Sequence, residues 1–90
     1  MKHFTKHVIL RMRERGISPG KVLMVVNGEV PVIVYPSPRE SSVDLYFGRV
    51  GEKFLMIPVD RVEESIITVR PMHRAEKAIY LKEISHEEEP

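Results

Sequence analysis

VDLYFGRVGEKFLMIPVD, residues 43–60, is the stretch whose reading decides the fold. In its first half Val43, Leu45 and Phe47 alternate with Asp44 and Tyr46, the period-two pattern of a strand with one face on a core. Gly51-Glu52 then makes a tight connection into Lys53–Val59. That second run, KFLMIPV, is apolar on both faces, as a central strand is. Pro58 has no N–H to give a ladder, so it is expected at the strand's end or in a bulge.

Working outward, Val30–Tyr35 is another β-rich run, stopped by Pro36-Ser37-Pro38. Downstream, Asp60–Glu64 reads as a loop and Ser65–Arg70 as a fourth strand. Upstream the period changes. Phe4, Val8 and Met12 recur every four residues, which predicts a helix over 4–15 with Gly16 as its stop. Ser18-Pro19 then reads as a helix start, with Ser18 capping and Pro19 in the first turn. This second helix carries Val22, Leu23, Val25 and Val26 and ends at Asn27-Gly28. A last helix is expected from His73 to about Lys82, resting Ala75, Ala78 and Ile79 on the sheet. The reading is a single α+β domain over residues 1–84: two N-terminal helices, a four-stranded antiparallel sheet and a C-terminal helix. Short connections imply an antiparallel meander with the helices on one face, and the acidic residues 85–90 read as a frayed tail.

Composition narrows the function classes. The chain has no cysteine, which excludes disulfides, thiolate metal sites and cysteine nucleophiles. No apolar run approaches the roughly 20 residues that cross a bilayer. The N-terminus carries a charge every few residues where a signal peptide needs an unbroken apolar stretch, so a cytoplasmic protein with no membrane partner is expected. Gln is absent and Asn occurs once, while Glu, Lys and Arg abound, a bias that fits a thermophile. The net charge of +1 hides an asymmetry: residues 1–86 hold 14 basic against 10 acidic groups. A basic surface of that size is compatible with a polyanionic partner.

Two stretches resemble known families. His7-x-x-x-Arg11-Met12-x-x-Arg15-Gly16-Ile17-Ser18 is similar to the start of a small prokaryotic family of unknown function. Ile67-Thr68-Val69-Arg70, followed by Arg74, Glu76 and Tyr80, is similar to the end of BrnT-type toxins. Pro71-Met72 departs from the Lys-Ala usual there. Both families belong to the RelE-like toxin group, whose fold pairs two helices with a four-stranded antiparallel sheet. The resemblance implies an endoribonuclease of a type II toxin–antitoxin system. RNA, free or on the ribosome, would be its substrate and a cognate antitoxin its partner; self-association is left open.

RNA cleavage by the 2′-hydroxyl needs a base, an acid for the leaving oxygen and cations near the phosphate, with no metal or cofactor. The catalytic candidates are His7, Arg49, Arg70, His73 and Tyr80; Arg11, Arg15, Arg74 and Lys77 are candidates for binding RNA, and Glu76 for orienting them. Arg70 is placed on the face opposite Ile67 and Val69, and its bland role is a salt bridge to Glu76 that anchors the last helix. His7 and Arg11 share a stripe at the core edge, where His7 equally well caps the apolar layer. His3 and His7 have a spacing that suits a metal, but no third ligand stands out. Tyr35, Tyr46 and Phe47 lie in strands and could stack on bases where exposed. The alternative is a non-catalytic module of the same fold that binds nucleic acid or protein, in one version through an open sheet edge that captures an extended peptide.

Overall fold

The computed structural model describes residues 2–88. At its centre, β3 (Val43–Val50) and β4 (Lys53–Asp60) form the hairpin expected from residues 43–60, paired residue for residue from Val43 with Asp60 to Val50 with Lys53. Gly51 takes a φ of 62°, as the first position of a II′ turn requires of glycine. On one side β3 pairs with β2 (Val32–Pro36), the sheet's outer strand. On the other, β4 pairs with two short strands, β5 (Ser65–Ile66) and β6 (Arg70–Pro71), where a single fourth strand was expected.

Pro58 accounts for that division. It sits inside β4 opposite Leu45, with no slip in register, rather than at an end or a bulge. Its carbonyl accepts from Ile67 N–H at 3.0 Å, so its own nitrogen faces the same side. There the ladder lacks a donor, and residues 67–69 leave the strand before β6 resumes it. The interruption also shifts the alternation of side chains. Ile66 and Val69, three apart, are both fully buried beneath the N-terminal helices. Ile67 instead lies on the opposite face beside Met56 and Arg70, so the expected pairing of Ile67 with Val69 on one face does not hold.

The chain opens with β1 (His3–Phe4), parallel to β5, so Phe4 is in a strand and not in the first helix. Thr5 then starts α1 (Lys6–Arg15). Its hydroxyl accepts from Val8 N–H at 3.1 Å and is shared between the Ile66 and Ile67 carbonyls at 3.0 Å each. One residue thus caps the helix and fixes it to the sheet. Gly16, in the left-handed region, ends α1, and Ser18 caps α2 (Pro19–Val26) with Pro19 in its first turn, both as expected. Against the sheet α2 comes very close: a Cβ on Gly48 would meet the Val25 methyls at 2.8 and 2.9 Å.

The last helix, α3 (Arg74–Glu88), runs beyond Lys82 into the stretch read as a tail; residues 89 and 90 lie outside the described residues. It does not share a face with α1 and α2. Val8, Val22, Val25, Leu55, Ile57 and Val59 form one core on the first face, while Tyr80 packs with Phe47, Met56 and Met72 on the other. Nor do Ala75, Ala78 and Ile79 rest on the sheet; all three are exposed, and the inward stripe is Glu76, Tyr80 and Ile84. The result is an α+β domain of three layers, two helices, a mainly antiparallel sheet and one helix.

Candidate functional site

Register decides which candidates meet. Arg70 lies opposite Met56, and Arg49 opposite Phe54, so both arginines project from the sheet face that α3 crosses. Arg70 donates two parallel hydrogen bonds to Glu76, at 2.8 and 2.9 Å, in a pair about a quarter exposed. Glu76 is the third residue of α3, and its Oε1 also accepts the His73 backbone N–H at 2.7 Å. That is the acidic half of a capping box. The Arg70 hydrogen bonds hold its carboxyl down to about 2, with the His73 N–H and the nearby positive charges assisting and burial opposing. Glu76 therefore fixes a guanidinium and the start of a helix at once. His73 is exposed, with Nδ1 3.9 Å from the same carboxylate oxygen.

The Tyr80 hydroxyl, a candidate for catalysis, is hydrogen-bonded to backbone. The β2–β3 register puts Pro31 opposite Arg49, one rung past the last paired residues Val32 and Gly48. Pro31 cannot donate, and there the Tyr80 hydroxyl enters the gap. It accepts from Arg49 N–H at 3.2 Å and donates to the Pro31 carbonyl at 2.7 Å. The side chain is buried and its ring meets Phe54 edge-on at 6.1 Å. It joins α3 to β3 and to the residue that precedes β2.

Phe54 organises the cations. The Arg49 guanidinium lies 5.0 Å from its ring centre and the Lys77 ammonium 4.7 Å from it, so the two charges stand within about 10 Å of each other. Arg49 Nε also donates to the Gly51 carbonyl at 2.7 Å. Beside this ring is a groove of about 230 Å³ lined by Arg15, Glu52, Lys53, Phe54, Met72 and Lys77. Arg15 arrives from the end of α1, donating to the Val69 carbonyl at the strand interruption. A second groove, about 450 Å³, opens beside Arg70 and includes Arg39, Glu40 and Met56.

Other candidates lie elsewhere. His7 is exposed on α1, in the layer across the sheet from Arg70 and Tyr80, and Arg11 pairs with Glu14 at 2.9 Å on the same helix. Arg74 is exposed on the first turn of α3. Of the aromatics, Tyr35 is 42% exposed and meets Phe47 edge-on at 6.0 Å; Phe47 is buried and Tyr46 packs against the core under α2. Among the described residues no group of three or more histidines and acids is placed to hold a metal ion. No described helix is long and apolar enough to cross a membrane.

Sequence reasoning passed over Lys53 and Phe54. Their signal was the two-residue turn: once Val50 opposes Lys53, Arg49 must oppose Phe54 and share its face. Compared with protein-family models, curated proteins and solved structures, the chain matches none.

Proposed function

We propose that this protein is a RelE-like, toxin-type protein that acts on RNA through the α3 side of its sheet. The observation that carries the reading is the gathering of Arg49, Arg70, His73 and Lys77 around one helix, on the face away from the aliphatic core. Arg70, held by two bonds to Glu76, is a cation of fixed orientation for a phosphate or a pentavalent transition state. His73 is the imidazole available for proton transfer there, exposed and next to that pair. Tyr80 positions Arg49 rather than moving protons, since its hydroxyl is bound to backbone on both sides.

The test is to incubate the purified protein with RNA, with and without ribosomes, and to follow growth on expression. Cleavage that drops about 10²–10⁴-fold in His73→Ala supports the reading. No cleavage in either case, together with no growth arrest, sinks it. A cognate antitoxin would cover this face and suppress both effects.

A second reading is a non-catalytic RNA-binding module of the same fold. One observation favours it: of the described histidines only His73 comes within 4 Å of the Glu76 carboxylate, so a two-histidine acid–base pair is not assembled there. RNA binding that weakens steeply with salt, without cleavage, identifies this case.

A further inference from the structure

The groove beside Phe54 has features that the Arg70 corner does not require. Arg15 lines it and Arg49 lies over the same Phe54 ring, and each spends one donor on backbone: Arg49 Nε on the Gly51 carbonyl, Arg15 Nη1 on the Val69 carbonyl. Each guanidinium is thereby held in place with its other N–H groups left over, which lowers the entropy lost when an anion binds. Lys77 is held over Phe54, and Lys53 lines the groove between the hairpin turn and the ring. Glu52 is the single acid in the lining and works against an anion.

The shape selects among anions. At about 230 Å³, the groove falls below the roughly 300 Å³ where ordinary small-molecule sites begin, and it is open along one side. Three cations in such an open groove, with Arg49 over the same ring, suit a chain of phosphates better than one enclosed phosphate. Its apolar floor, with Phe54 and Met72, can be covered by the ribose or base of an opened strand, whereas a duplex offers only its backbone to a groove this narrow.

We propose that Arg15, Arg49, Lys53 and Lys77, gathered around Phe54, form a phosphate track for single-stranded RNA. The inference rests on the RNA-acting reading above but concerns binding alone. It is tested with a fluorescent uridine 12-mer bearing 2′-O-methyl groups, which cannot be cleaved through the 2′-hydroxyl, by anisotropy from 50 to 200 mM salt.

The wild-type protein should bind with a log–log salt slope of about −3, and each cation removed should reduce the slope by roughly 0.7. Arg49→Ala with Lys77→Ala, and separately Lys53→Ala, should therefore flatten it, while Arg13→Ala with Lys82→Ala, the same charge loss at exposed positions outside the groove, should leave it nearly unchanged. Circular dichroism checks that each variant is folded, and Lys53→Ala provides a single change at a half-buried position should the double variant unfold. Equal flattening in the control pair would overturn the track, as would polyglutamate of matched charge competing as well as RNA, or a duplex of the same length binding as tightly. Binding retained without cleavage of unmodified RNA removes the catalytic reading and leaves the track standing. Cleavage without groove-dependent binding does the reverse.

Discussion

The two faces of the sheet are closed by different means. Under α1 and α2 the seal is aliphatic: Val8, Val22, Val25, Leu55, Ile57, Val59, Ile66 and Val69 are each within 1% of full burial. Each such side chain contributes about 1.5–3 kcal/mol through removal from water, so this layer dominates stability. Under α3 the apolar part is smaller, and polar hooks fix the helix: the Arg70–Glu76 pair at its start and the Tyr80 hydroxyl one turn on. Hooks of this kind set position more than they add stability, and they leave the flanks of α3 open, where the grooves and cations are. One face holds the fold; the other places the chemistry.

The comparison breaks if the aliphatic face is not the stronger. Leu55→Ala removes a side chain that is 1% exposed at the centre of β4 and should cost about 2–5 kcal/mol in urea unfolding. A loss under about 1 kcal/mol would mean that this face is loosely packed. The same layer can be probed by adding volume. In Gly48→Ala the new methyl meets Val25, and the expected cost is about 1–3 kcal/mol with α2 displaced. An unchanged unfolding midpoint would show that α2 is not pressed against β3.

How much of this was legible depends on where a two- or four-residue period survives. The hairpin was readable because Gly51-Glu52 is too short to permit more than one register, and that register also carried Arg49 to Phe54. The caps at Thr5 and Ser18 differ in this respect: Ser18 announces itself through Pro19, whereas Thr5 follows a two-residue strand too short to show any period. The division of the fourth strand was hidden because Pro58 removes a donor on only one side, and composition does not say which neighbour lies there. The face of α3 was misread for a physical reason. Its inward stripe begins with a carboxylate, satisfied by an arginine from β6, so the apolar pattern pointed to Ala75, Ala78 and Ile79 instead. The Arg70–Glu76 bridge itself was anticipated from the sequence; its role in capping α3 was not.

On the α3 face the effects should be smaller and depend on pH. Glu76→Gln keeps an oxygen for the His73 N–H but removes the charge facing Arg70, and should cost about 1–2 kcal/mol at pH 7, moderated by water at the open flank. The sign of its pH dependence follows from a folded carboxyl at about 2 against an ordinary 4.5. Unfolded chains bind the proton first, so the stabilisation is complete above 4.5, shrinks as the pH falls below it and is gone once the pH passes below about 2. Urea midpoints of the two proteins should therefore converge across that window. Parallel curves from pH 7 to 2 would show that the bridge does not hold the helix.

Tyr80→Phe should have the smallest effect and is the sharpest test of what a hook does. The ring would stay, edge-on to Phe54 and packed with Phe47 and Met56, so the apolar part of the contact is kept. The loss is the hydroxyl that stands between Arg49 N–H and the Pro31 carbonyl. Both of those residues are exposed, so water can enter and take over the two bonds, which limits the cost to about 0.5–1 kcal/mol. The local consequence should exceed the global one. Hydrogen exchange at the Arg49 amide should accelerate, while amides beneath α2 keep their protection. Arg49 would lose part of its fixed place over Phe54, so the salt slope of RNA binding should flatten with little change in unfolding. If instead Tyr80→Phe destabilises the protein as much as Leu55→Ala, then a single hydroxyl is holding the whole second face, and the division between a face that folds and a face that binds fails.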